Sequence, residues 1–145
     1  MKKLLFIMAA LAFGLFAYAQ IPPQKVADNF AKKFPNATKV KWDQEEENEW
    51  EAEFKQNGSE LSACFDQEGK WFETEKEVGE KDLPDAVLKA IKQKYSDYKI
   101  EEASLIETLD FSGYEVALEL KENEVEVQVT MEGILSVKKE TRGED

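Results

Sequence analysis

The residues in this chain with evident chemical capability are carboxylates. Asp43, Glu45, Glu46, Glu47, Glu49, Glu51 and Glu53 crowd one short stretch, and Asp66, Glu73, Glu75, Glu115 and Glu119 recur in segments of similar pattern. Two positioned carboxyl groups can perform acid–base chemistry, but a dense run is not such a pair, and nothing in the sequence marks one member as desolvated. The oxygen-rich stretches 43–49 and 66–68 suit a hard cation, yet neither follows the twelve-residue calcium loop with its internal glycine and closing glutamate. A face of carboxylates attracts a basic protein, a cationic peptide or divalent cations. The plainer alternative is a solvated face that maintains solubility and discourages edge-to-edge aggregation.

The remaining inventory narrows the field by what it lacks. The 145 residues carry a formal net charge of −12, no histidine and one cysteine. Without histidine there is no Ser-His-Asp or Cys-His machinery, no imidazole base and no ordinary zinc site. One cysteine rules out an intramolecular disulfide and a Cys-x-x-Cys pair; Cys64, in an alternating apolar stretch, reads as a buried thiol. The acidic balance opposes nucleic-acid binding, which needs a basic footprint. The expectation is a non-enzymatic protein without cofactor or resident metal.

The first residues read as an address. Lys2 and Lys3 precede an apolar run from Leu4 to Phe16, and Ala17-Tyr18-Ala19 offers small residues at signal-peptidase spacing, so cleavage is expected after Ala19. The run is shorter than the roughly 20 residues that span a bilayer, and no membrane association is expected after cleavage. Loss of 19 residues and two lysines leaves 126 residues at a formal −14. The short basic head points to a bacterial periplasmic or secreted protein.

Behind the carboxylates lies a repeated scaffold. Val26, Phe30 and Phe34 step by four through 22–34, with Pro23 at the start, Lys32 and Lys33 near the end and Pro35 beyond it, which predicts a helix. Val87, Ile91 and Tyr95 repeat the design over 83–95, displaced by 61 residues. Strands follow each helix. Val40 and Trp42 alternate with lysines; Trp50, Ala52 and Phe54 alternate with glutamates; Asn57-Gly58 marks a hairpin; and Leu61, Ala63 and Phe65 answer on the far side. Residues 70–76 supply a fourth strand. Tyr114, Val116 and Leu118, Val125, Val127 and Val129, and Gly133 repeat the later landmarks at an offset of 64, so about three residues have entered near 108–113. The division expected is repeat 1 over 20–78 and repeat 2 over 79–145, with a linker at 78–82 and a frayed tail after Thr141.

Each unit has one helix and about four strands, a marginal core alone. The expected fold is therefore α+β: two tandem helix-plus-antiparallel-sheet repeats, their sheets joined into one with both helices on one face. Period-two alternation leaves the other face open. Glu51 and Glu53 project there, opposite Trp50, Ala52 and Phe54, which with Trp42 and Phe65 belong to the core. Adjacent strand residues point to opposite faces, so either Trp71 or Phe72 lies on the open face or its rim, unless the strand's outer side packs on 77–82.

The opening Pro-x-x-Val-x-x-x-Phe-x-x-x-Phe-Pro from Pro23 to Pro35, Val40-Lys41-Trp42, Trp50-Glu51-Ala52-Glu53-Phe54, Phe65-Asp66 with Gly69-Lys70-Trp71, and Leu83-Pro84 with its helix together resemble the PepSY-like, β-lactamase-inhibitor-like family. The resemblance implies an exported bacterial protein with two tandem helix-plus-sheet units and a non-catalytic, protein-contacting role. It carries over no catalytic or ligand residue, because the shared positions are mainly core. Candidate partner contacts are Glu49, Glu51, Glu53, Trp71 and Phe72, and the partner expected is a protein or peptide, basic or a secreted enzyme. The alternative is a small-ligand or divalent-cation binder using the same face.

Overall fold

The computed structural model describes residues 20–143; the expected leader and its cleavage position at Ala19 lie outside them. Eight strands form one antiparallel sheet in chain order: β1 (Thr38–Glu46), β2 (Glu49–Gln56), β3 (Ser59–Asp66), β4 (Trp71–Glu77), β5 (Lys99–Thr108), β6 (Ser112–Leu120), β7 (Asn123–Thr130) and β8 (Leu135–Thr141). Helix α1 (Gln24–Lys33) precedes β1, and a short 3-10 turn (Glu80–Asp82) followed by α2 (Asp85–Lys94) joins β4 to β5. Both helices begin behind a proline and carry lysines in the last turn, where the carbonyl end of the helix favours positive charge.

Both helices cover the same face. Val26, Phe30 and Phe34 of α1 pack with Trp50, Ala52, Phe54, Ala63 and Phe65, while Val87 and Ile91 of α2 pack with Ala103, Tyr114, Val116, Leu118, Val125, Val127 and Val129. The two cores are repeat equivalents solved with different volumes. Phe30 meets the rings of Phe34, Trp42, Phe54 and Phe65 at 5.4, 5.1, 5.0 and 6.1 Å over a floor containing Ala52 and Ala63. Its counterpart Ile91 is smaller, and the counterpart floor is larger, Val116 and Val127. Close packing requires such compensation, because volume added on one side of a filled core must leave the other.

The turns after β3 and β7 are built alike and seat the helices. Asp66 Oδ1 accepts from the Glu68 and Lys70 amides, and Thr130 Oγ1, 64 residues on, accepts from the Ile134 amide. Gly69 and Gly133 follow at φ +82° and +88°. A Cβ there would stand 2.8 Å from the Lys25 carbonyl oxygen in one repeat and 2.8 Å from that of Ala86 in the other. Only glycine supplies both the left-handed backbone and the room for the helix.

Two details depart from the sequence reading, at Val40 and in the tail, while the buried thiol expected at Cys64 is found. Val40 is 37% exposed and outside the core, because Lys39 takes φ +54° and the β1–β2 register slips between Thr38 and Lys41, resetting the alternation. Beyond Thr141, the Gly143 amide donates to Asn123 Oδ1 at 3.3 Å, so the tail is tied back as far as that residue. Cys64 is buried but lies outside both apolar clusters, on the opposite side of the sheet from Ala63 and Phe65.

Candidate functional site

The face without helices is where the carboxylates converge, and strand register shows how. Glu51 on β2 stands opposite Asp43 on β1 and Cys64 on β3; Cys64 stands opposite Glu73 on β4, and Glu73 opposite Thr108 on β5. The adjoining row runs Lys41, Glu53, Ser62, Glu75, Ile106 and Gly113. The next runs Glu77, Ser104, Glu115, Gln128 and Ser136. Directly opposed side chains in antiparallel pairs stand roughly 5 Å apart at Cβ, as Asp43 and Glu51 do, while Cys64, Ser62 and Ser104 each place one strand between the other carboxylates of these rows.

Several of these groups are withdrawn from water although no helix covers them. Glu115 is 2% exposed and Glu51 8%, and Cys64, Ser104 and Ile106 beside them are also buried. Burial comes first in what this does to their acidity. Glu51 is pushed up to about 7 by desolvation, reinforced by the charges of Glu45, Glu53, Glu75 and Asp43. Glu73 rises to about 7 through desolvation and then Glu75, Glu115 and Glu49. Glu115 rises to about 7 through desolvation and a carboxyl–carboxyl hydrogen bond with Glu126, opposed by the Gln128 amide, which donates to Glu115 Oε2 at 3.1 Å. Glu75 and Glu45 are raised for the same leading reason, and desolvation with the charge of Glu51 lifts the Cys64 thiol far out of its reactive range. Among the described residues, no three acidic or thiol groups are arranged as a metal-ligand set.

The five residues singled out from the sequence separate here. Glu49, Glu51 and Glu53 share the open face, Glu49 half-buried opposite Asp66 and Glu53 exposed. Trp71 does not join them. The β3–β4 register slips between Cys64 and Phe65, so Trp71 sits opposite Phe65 on the helix side. There it packs on the α1 core, donates from Nε1 to Thr74 Oγ1 at 2.9 Å and lies 3.8 Å beneath the Lys33 ammonium. Phe72 is the extra, half-buried residue of that slip. Glu126 and Gln128 were not singled out, although the offset of 64 residues that pairs the repeats also relates Glu51 to Glu115, the two buried glutamates.

The sequence matches the family described as "Putative beta-lactamase-inhibitor-like, PepSY-like" over residues 16–64 and again over 48–136. The chain belongs to this family. A BLIP-like protein from Bacteroides fragilis is similar at 27% identity and TM-score 0.77, over 87% of this chain and 91% of that one. A DUF2874 family protein from Bacteroides ovatus shares the fold at 22% identity and TM-score 0.74, over 84% and 88%. A Bacteroides eggerthii structure named "putative periplasmic proteins" does so at 17% and 0.72, over 84% and 89%. No curated protein matches. The PepSY-like chain has, among its described residues, no helix long and apolar enough to cross a membrane.

Proposed function

We propose that this PepSY-like protein acts outside the cytoplasm as a non-enzymatic binding protein whose open sheet face engages a cationic segment of a protein or peptide, restraining a secreted enzyme if the partner is one. The observation that carries this reading is the carboxylate face itself. Asp43, Glu51, Glu53, Glu73, Glu75, Glu77 and Glu115 share one side of the sheet, and both helices are on the other. Carboxylates already stripped of water give an incoming guanidinium or ammonium strong charge-assisted hydrogen bonds without a further desolvation cost on their own side. Support for the location comes from the leader-like first residues and from the name of the Bacteroides eggerthii relative. Support for a protein partner comes from the family description.

The test is capture from the producing cell's exported fraction with the immobilised protein, beside a Glu51→Lys/Glu53→Lys variant shown by circular dichroism to be folded. The expected result is one polypeptide retained in stoichiometric amount, released as salt is raised and not retained by the variant. Equal retention by both proteins, or binding indifferent to salt, rejects the acidic face as the contact surface.

A further inference from the structure

Gln20, the first described residue, lies along the outer edge of β1. Its main-chain N–H donates to the Trp42 carbonyl oxygen at 3.2 Å, and the Gln44 main-chain N–H donates to Gln20 Oε1 at 3.2 Å. Alternate residues of a strand turn their N–H and C=O groups to the same side, so residues 42 and 44 offer both contacts on the side away from β2, where no strand follows. Gln20 thus applies its own nitrogen as a donor and its side-chain carbonyl as an acceptor to one short stretch of sheet edge. Ile21 behind it is 89% exposed, and Pro22 and Pro23 have no N–H with which to extend the pairing. An uncovered edge is a template for another chain, and Gln20 occupies the middle of this one.

We propose that Gln20 is a modification site: once the leader is removed after Ala19, its α-amine closes on its own side-chain carbonyl carbon, and the resulting pyroglutamyl lactam covers the edge of β1. This closure rests on the leader reading of the first residues, because only a freed α-amine is nucleophilic. The bond from the α-nitrogen to Cδ forms and the Cδ–Nε2 bond breaks. The side-chain nitrogen leaves as ammonia with the proton that the α-amine gives up, so nothing is oxidised or reduced and no co-reactant is consumed. The lactam keeps the N–H that Trp42 accepts and the carbonyl oxygen that Gln44 engages. It loses only the amide nitrogen, which neither contact uses. Closure also exchanges an ionisable amine for a neutral amide, so the terminus brings no positive charge to the acidic sheet. Gln20 is exposed, which leaves it within reach of a cyclising enzyme as well as of its own side chain.

The experiment is intact-mass analysis of the protein recovered from the producing cell's exported fraction, with fragmentation of the undigested chain to place any loss. A chain of residues 20–145 is expected, lighter than its sequence requires by about 17 Da, one ammonia, with the loss in the fragment that carries Gln20. Full mass at Gln20 overturns the proposal while leaving the leader reading intact. So does a loss placed at Asn57-Gly58 alone, where closure of an asparagine on the next amide sheds the same mass. A different first residue overturns both. The edge contact has its own readout in amide hydrogen exchange. The Gln44 N–H is expected to exchange about tenfold faster in a chain that begins at Ile21 than in the cyclised protein. Equal rates would overturn the covering of the β1 edge by Gln20.

Discussion

Replacing each of three glycines by alanine separates backbone strain from helix docking. Gly58, Gly69 and Gly133 all adopt left-handed backbone, at φ +80°, +82° and +88°. Gly58 has nothing within 4 Å of a built Cβ, so Gly58→Ala reports the conformational cost alone, about 1–2 kcal/mol. At Gly133 the same Cβ meets the Ala86 carbonyl oxygen at 2.8 Å, a helix backbone atom that moves only if α2 lifts from the sheet. Forced displacement of this kind adds about 1–3 kcal/mol. Gly69→Ala meets Lys25 in the same way and also crowds the Asn29 amide, which donates to the Gly69 carbonyl at 2.8 Å, a bond contributing about 1 kcal/mol. The expected order of destabilisation is Gly69 above Gly133 above Gly58, spanning about 3 kcal/mol. Urea unfolding followed by far-ultraviolet circular dichroism resolves differences of that size. Equal losses at all three positions would show that the helices are not seated on these turns, and the docking argument would fail.

The compensated cores predict non-additivity: Ala63→Val alone is expected to cost about 1–3 kcal/mol by overpacking beneath Phe30. Combined with Phe30→Ile, it should recover at least 1 kcal/mol of the summed losses in a double-mutant cycle, and strict additivity would contradict the volume argument. Glu51→Gln tests the acidity of the first repeat. A carboxyl with folded pKa about 7 against 4.5 unfolded favours the fold while protonated, and that advantage is lost as pH rises through about 7. The variant should therefore gain on the parent by about 1–3 kcal/mol at pH 8.5 and by much less at pH 4.5; a gain equal at both would refute the shift. Cys64, buried with a raised thiol pKa, should resist iodoacetamide in buffer and react in urea at its unfolded rate, and rapid labelling of the native protein would contradict its placement.

The scaffold was legible because its signals are local. Trp50, Ala52 and Phe54 set against Glu49, Glu51 and Glu53 announce a strand and its two faces, and the 61- and 64-residue offsets announce the duplication. Depth was not legible. Alternation says which side of the sheet Glu51 is on, but the 8% exposure comes from the strands beside it, whose register depends on pairings far along the chain. Parity also fails at each slip in register: the one between Cys64 and Phe65 sends Trp71 to the helix side, and the one near Lys39 strands Val40 in solvent. Glu115 takes its hydrogen bond from Gln128 on the neighbouring strand, a contact that no one-strand pattern records.

The order of the sheet has a consequence for how the protein comes into being. Every strand pairs with its sequence neighbours, from β1 through β8 without a crossover. A chain delivered amino end first, whether by a ribosome or through a membrane pore, therefore never waits for a distant partner. Each new strand meets an edge already formed by the one before it, and only the β4–β5 step must span a helix. Topologies dominated by neighbouring pairings are the ones that fold rapidly, and an edge that is promptly covered offers little time for pairing with another molecule. Growth ends at β8, whose Lys138 and Lys139 give the final edge positive charge beside the acidic sheet.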